Sequence, residues 1–187
     1  MAEPIGFIAA GSLLVVLSVL ALLALGIGSL ESRMGISRDG ISVHKRAPAW
    51  EATDVSGTKR RSPHGSAWQV LVFADQELAF FHDLALGLNK ISLSEPDVEV
   101  VILSPRSSEI CRVIAEGLDL SVPIVPDAGK LYKRFRVRVR PFVHVVDPQG
   151  NVRAKGVANY EATVRAFLRW GRSPKDALSH QAIGSPA

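Results

Sequence analysis

Cysteine is nearly absent from this chain of 187 residues, and its scarcity excludes several kinds of chemistry. The single Cys111 cannot form a disulfide within the chain, a Cys-x-x-Cys redox pair or a cysteine-rich zinc site. None of the five histidines lies at ligand spacing from another histidine or from Cys111, so we expect no metal site. The chain also lacks a glycine-rich phosphate loop and a Gly-x-Ser-x-Gly elbow, and we predict no small-molecule cofactor.

Positive charge is only slightly in excess, with a formal net charge of +4. Five basic residues form a dense run, which comprises Lys133, Arg134, Arg136, Arg138 and Arg140. Only one aromatic residue, Phe135, interleaves with it and no nucleic-acid-binding motif is present, so we expect no nucleic acid partner. Two interpretations stay open: a basic edge that discourages strand aggregation, or a surface that recognises an acidic partner or lipid headgroups.

The N-terminus carries a long apolar run, residues 5–30, without a charged side chain. About 20 apolar residues are enough to span a bilayer as a helix. The first four residues contain no Lys or Arg, and the run is longer than the core of a cleaved signal peptide. We therefore predict a retained single-pass anchor over residues 1–30 and a juxtamembrane linker over 31–46. The arginines and lysines that follow the run favour a cytoplasmic domain.

The rest of the chain predicts an α/β domain over residues 47–170, with a disordered tail over 171–187. Apolar runs of strand length at 68–74 and 98–103 are typical of buried strands. A hairpin follows at 142–146 and 152–156, and its turn is set by Asp147, Pro148 and Gly150. Helical patterns occupy 76–90, 107–118 and 128–135. Asn159 is expected to cap a last helix, whose inner face should carry Tyr160, Val164, Phe167 and Leu168. The second helix should turn Ile110, Val113, Ile114 and Leu118 inward. Alternating strands and helices predict a mixed sheet of four or more strands with helices on both faces.

This order of elements resembles the thioredoxin fold. Residues 132–137 and 140–150 are similar to the segment of TlpA-type, ResA-type and peroxiredoxin-like proteins that holds their cis-proline. Residues 47–50 and 54–57 resemble the opening hairpin of the same proteins. The resemblance implies a cis bond before Pro141. It also implies that the backbone at Arg140, Pro141 and Phe142 pairs with an extended segment of a protein partner.

A further resemblance lies outside the domain. Residues 27–34, at the end of the apolar run, are similar to the membrane-anchored MauD type of the methylamine-utilisation proteins. That family implies a thiol–disulfide protein that helps to mature a disulfide-rich enzyme subunit. It also implies a domain outside the cytoplasm, which conflicts with the charge rule, so the side of the membrane stays open.

The chain departs from this family at the redox site. The family's Cys-x-x-Cys lies where a strand meets a helix, and the aligned positions here are Leu78 and Phe81. Because neither side chain can form a thiolate, thiol–disulfide exchange by the family's mechanism is unavailable. Cys111 is either a reactive thiol or a small residue packed in a helix. An acid–base site from Asp75, Glu77 and His82 is the alternative to Asp75 as a helix cap.

These observations support three hypotheses about function. The first is a membrane-anchored, thioredoxin-like protein without its redox pair, which binds or assembles a protein partner through the groove beside Pro141. The second is a redoxin-type oxidoreductase that works through Cys111 or through a partner's thiols. The third is a structural subunit of a membrane complex.

Overall fold

A five-stranded mixed sheet forms the centre of the molecule in the computed structural model, which describes residues 39–173. A separate two-stranded hairpin, β1 and β2, precedes it. The order across the large sheet is β5-β4-β3-β6-β7, with β3, β4 and β5 parallel and with β6 and β7 antiparallel to their neighbours. The strands are β1 (Trp50–Thr53), β2 (Lys59–Ser62), β3 (Trp68–Phe73), β4 (Val98–Leu103), β5 (Ile124–Val125), β6 (Phe142–Val146) and β7 (Val152–Val157). The predicted mixed sheet is confirmed.

Helices cover both faces of this sheet. They are α1 (Phe81–Ser94), α2 (Ser108–Gly117), α3 (Gly129–Arg134) and α4 (Glu161–Arg172). The steps from β3 to β4 and from β4 to β5 move in the same direction, so right-handed crossovers place α1 and α2 on one face. Helix α4 shares that apolar layer, whereas α3 and Trp50 of β1 pack on the opposite face.

The central strands are buried on both sides, as their continuous apolar sequence predicts. Val70 and Val72 of β3 pack into the layer of α1 and α4, whereas Leu71 and Phe73 face the layer of α3. This alternation follows from the two-residue period of a strand. The parallel pairing of β3 with β4 places the carboxyl ends of these two strands side by side at one edge of the sheet.

Helix α1 begins later than the sequence predicts. The expected start is residue 76, but the helix starts at Phe81, and no side-chain cap is present. Two tight turns replace the first helical turn, with Leu78 N–H donating to Asp75 O and Phe81 N–H donating to Leu78 O. The prediction of Asp75 as a helix cap is wrong, because the helix starts only at Phe81. The Asp75 carboxylate instead accepts the Glu77 N–H at 3.3 Å within the turn and pairs with two arginines.

Helix α2 does not bury the stripe that its sequence predicts. Ile110 and Val113 are 43% and 66% exposed, whereas Cys111 is buried. The helix packs beside the edge strand β5, which has only two residues. Such a short strand offers too little apolar surface to cover the whole stripe.

Helix α4 also differs from its prediction at the first turn. Tyr160, and not Asn159, occupies the N-cap position, and no side chain caps the helix. Tyr160 was expected to face inward, yet it is 52% exposed and stacks on Phe80 with ring centroids 5.9 Å apart. Val164 and Leu168 are buried as predicted.

The second half of the predicted linker is paired with the domain. His44 N–H donates to Val152 O at 2.7 Å, and Val152 N–H donates to Lys45 O at 2.9 Å. Ala47 N–H donates to Gly150 O at 2.8 Å. Residues 39–47 therefore form part of the folded unit and lie along the hairpin of β6 and β7.

The predicted anchor, residues 1–30, lies outside the described residues. The predicted tail begins at residue 171, but α4 continues to Arg172; the part of the tail from residue 174 onward lies outside the described residues. Within residues 39–173, the longest helices are too short and too polar to cross a bilayer.

Candidate functional site

A buried carboxylate joins the strand–helix junction to the loop that carries Pro141. Asp75 follows β3, and the residue is only 4% exposed. Its Oδ2 accepts a hydrogen bond from Arg140 Nη1 at 2.8 Å. Arg106, which follows β4, donates from Nε to Oδ1 at 3.0 Å and from Nη2 to Oδ2 at 3.3 Å. Three segments that are distant in sequence are thus held together by one side chain.

Arg106 is the residue of this cluster that sequence reasoning missed. Its guanidinium also pairs with Glu77, which lies in the turn before α1. The hydrogen bonds to Asp75 raise the pKa of Arg106 above its ordinary value. The position of Arg106 after a predicted strand could have indicated this contact, because residues that follow neighbouring parallel strands meet at the same edge of the sheet.

Tyr132 of α3 contacts the same edge of the sheet through its hydroxyl group. Its hydroxyl lies 3.1 Å from Ala74 O and 3.0 Å from Leu103 O, so it can donate to either of the carbonyls that end β3 and β4. Burial raises the pKa of Tyr132 well above its ordinary value, while the charge of Arg140 opposes that shift. The hydroxyl therefore stays protonated and acts as a structural donor.

The loop before β6 carries the other predicted site residues. The Arg140–Pro141 peptide bond is cis, as the resemblance implied. Pro141 and Phe142 are buried, and Phe142 pairs with Phe73 on one side and with Val157 on the other. Within residues 39–173, the backbone N–H and C=O of Arg140 have no hydrogen-bond partner. Within these residues the backbone of Arg140 thus keeps an unused donor and acceptor, whereas the side chain of Phe142 is buried.

The basic run lies mostly on the surface around this loop. Lys133, Arg136 and Arg138 are exposed, and the side chain of Arg140 is 42% exposed beside its contact with Asp75. Arg134 is held by a hydrogen bond from Nη2 to Ala49 O at 2.6 Å. The rim of the site is thus positively charged.

Apolar side chains occupy the junction where the resemblance places a redox pair. Phe81 is 7% exposed and belongs to the core layer of α1 and α4, and Leu78 packs against that layer while partly exposed. Both lie within six residues of Asp75, which contacts Arg140. The side chains at this junction are therefore part of the apolar core or packed against it.

The acid–base alternative is not assembled. The side chain of His82 is 64% exposed, and its Nδ1 lies 3.4 Å from Asp83 Oδ1. Asp75 instead faces the two arginines, and the side chain of Glu77 is 70% exposed beside Arg106. The reason is that α1 starts at Phe81, so His82 falls on its outer surface.

Cys111 is packed and poorly placed for thiolate chemistry. The residue is 1% exposed, and its Sγ lies 3.7 Å from Arg106 O. Burial raises the pKa of the Cys111 thiol above its ordinary value, although a hydrogen bond with Ser104 opposes this shift. Both features favour the neutral thiol and support the interpretation of Cys111 as a small packed residue.

We expect Cys111 to be protected from alkylation. In the folded protein, iodoacetamide should label it about 100-fold more slowly than in denaturant, because the thiol is buried and mostly protonated. The measurement is mass spectrometry of timed samples. Rapid native labelling, or turnover of a disulfide substrate that disappears in Cys111→Ser, would revive the oxidoreductase hypothesis.

Comparison with solved structures identifies the architecture. No protein-family model matches the chain, and no curated protein matches its sequence. The thioredoxin domain of a thiol-disulfide oxidoreductase from Bacteroides vulgatus superposes with a TM-score of 0.58 at 18% identity, covering 68% of this chain and 98% of that one. The fold is thioredoxin-like.

Two further neighbours show the same thioredoxin-like fold. Peroxidoxin BcpB from Mycobacterium tuberculosis has a TM-score of 0.59 at 20% identity, with 70% of this chain and 98% of that chain covered. A secreted disulfide oxidoreductase from the same organism has a TM-score of 0.56 at 19% identity, with coverages of 64% and 94%. The single cysteine of the present chain fits a thioredoxin-like domain that has lost its Cys-x-x-Cys pair.

Proposed function

We propose that this protein is a membrane-anchored, non-catalytic binding factor that holds an extended segment of a partner protein beside Pro141. One observation carries the proposal: the N–H and C=O of Arg140 are unpaired within residues 39–173, and Arg140 is an exposed residue. An unpaired donor and acceptor on one residue suit pairing with an added strand. Such pairing requires no cysteine.

The charge around the loop selects the chemistry of the partner. Arg136, Arg138 and Arg140 are exposed at the rim, and the carboxylate of Asp75 neutralises only part of this charge. An acidic segment would therefore associate faster and more specifically than a basic one. The apolar run at residues 5–30 supports placement at a membrane, in assembly or maturation of a partner there.

A photo-crosslinking amino acid at Val139 tests the groove. Val139 is 37% exposed and adjoins Arg140, so a bound segment should come within reach of it. In membranes of the native host, we expect the full chain with this substitution to form a discrete adduct on irradiation. We also expect about 0.5 M salt to reduce the adduct several-fold, because exposed charges are screened.

The matched control carries the same crosslinker at Leu93. This residue is 75% exposed, but it lies near the carboxyl end of α1, away from the loop. An adduct at Val139 that is absent at Leu93 supports the groove. No adduct at Val139, or equal adducts at both positions, contradicts it.

A further inference from the structure

We propose that Asp39 is a positioning residue that clamps the loop before Pro141 and so presents the backbone of Arg140 to a partner. The inference rests on the proposed function, since it assigns the residues that hold the same groove in shape. None of the motifs found in the sequence includes Asp39.

The carboxylate of Asp39 caps the loop directly. Its Oδ2 accepts hydrogen bonds from Arg138 N–H at 3.1 Å and from Val139 N–H at 2.9 Å. Asp39 is only 7% exposed, so this cap is shielded from water. The two N–H groups that precede Arg140 are thereby occupied, and the N–H of Arg140 is left for an incoming strand.

Gly40 and Ile41 extend the clamp to both sides of the loop. Gly40 N–H donates to Arg136 O at 3.0 Å, and Ile41 N–H donates to His144 Nε2 at 3.0 Å. Lys155 Nζ donates to Asp39 O at 2.6 Å. The segment is therefore bonded to the loop, to β6 and to β7.

Glycine is required at the centre of the clamp. Gly40 has a φ of +71°, in the left-handed region that disfavours side chains. A Cβ there would lie 2.6 Å from His144 Nε2 and 2.6 Å from Phe142 Cε1. The backbone can approach the buried imidazole this closely only because the side chain is missing.

The clamp joins two segments of the domain that are far apart in sequence. The backbone N–H groups of Arg138 and Val139 donate hydrogen bonds to a side chain about 100 positions earlier. If Asp39 is displaced, these two N–H groups become unpaired and the loop loses a constraint directly before Arg140. We infer that displacement weakens partner binding without changing the packing of the sheet.

Amide hydrogen exchange of the full chain in detergent micelles, without any partner, tests the clamp itself. In Asp39→Ala, the amides of Arg138 and Val139 should exchange about tenfold faster or more, because they lose a charged acceptor. Amides of β3 and β4 should keep their wild-type rates. Asp39→Asn retains a carbonyl oxygen and should restore most of the protection. Unchanged loop exchange, or equal acceleration throughout the domain, would overturn the proposal.

The crosslinker at Val139 then tests the effect on binding. We expect Asp39→Ala to reduce the adduct several-fold, Asp39→Asn to recover most of it, and Asp83→Ala to leave it unchanged, since the Asp83 side chain is 77% exposed on α1. If no adduct forms even when Asp39 is intact, the result counts against the proposed function. A normal adduct in Asp39→Ala would count against the clamp alone.

Discussion

Acidification from about pH 7 to about pH 4.5 should remove about 2.5 kcal/mol of the unfolding free energy through His144 alone. The imidazole is completely buried among Phe73, Phe135 and Phe142, with ring centroids 5.1 to 5.6 Å away. Burial, aided by the charge of Lys155, lowers the pKa of His144 from 6.5 to about 3. The folded protein therefore keeps this side chain neutral across the physiological range.

The direction of the effect follows from proton uptake. Between pH 6.5 and about 3, the unfolded chain protonates this histidine and the folded chain does not, so acid favours unfolding. The stability at high pH is fully present above the unfolded pKa, and it decreases as the pH falls from there toward the folded pKa. Protonation would also remove the acceptor at Nε2 that holds Ile41 N–H.

Urea unfolding at a series of pH values measures this contribution. His144→Gln keeps an oxygen near the position of Nε2 and cannot be protonated. The unfolding free energy of this variant should therefore decrease less steeply with falling pH than that of the parent chain, by a slope that corresponds to about one proton. His82→Gln is the matched control, because that imidazole is 64% exposed and should leave the slope unchanged. Parallel curves for the parent chain and His144→Gln would show that His144 does not titrate as the structure predicts.

Replacing Asp75 by alanine should cost about 2 to 3 kcal/mol of unfolding free energy. The carboxylate is buried and accepts from both Arg106 and Arg140. Its loss leaves two guanidinium groups without their shared acceptor, although solvent compensates in part because they are 30% and 42% exposed. The same variant should weaken the adduct at Val139, since Arg140 loses its anchor.

Denaturant unfolding with a double-mutant cycle measures this cluster. Asp75→Ala and Arg140→Ala should be coupled by about 1 kcal/mol, because the two side chains are in direct contact. Asp83→Ala removes an exposed carboxylate and should change stability by less than about 0.5 kcal/mol. If Asp75→Ala behaves like Asp83→Ala, the ion-pair cluster does not hold the site together.

The elements that sequence reasoning placed correctly are those with strong local patterns. Strands β3, β4 and β6 have continuous runs of β-formers, and the turn at Asp147–Gly150 has the residues that its geometry needs. The predicted start of α1 is wrong because an aspartate at position 75 suits two roles equally well in the sequence, as a helix cap and as a partner in an ion pair. Only the position of Arg106 and Arg140 in space decides between these roles.

The candidate site could be predicted only in outline. The position of Pro141 before a strand and the apolar residues Leu78 and Phe81 after β3 can be read from residue types in order along the chain. The contacts that shape the groove join Asp75 to Arg140 across 65 positions, and Ile41 to His144 across 103. No local pattern marks such pairs, because each is created by the packing of the sheet between them.

The amino-acid sequence by itself determined the layered α/β architecture, since apolar periodicity and turn residues act over a few neighbouring positions. It also determined that no Cys-x-x-Cys pair can form within these 187 residues, because the sequence has one cysteine. The tertiary structure alone decided that Cys111 is buried, that Asp75 pairs with two arginines and that Asp39 caps the loop before Pro141. Burial and long-range hydrogen bonds depend on which segments the completed fold brings together, and the order of residues does not state them.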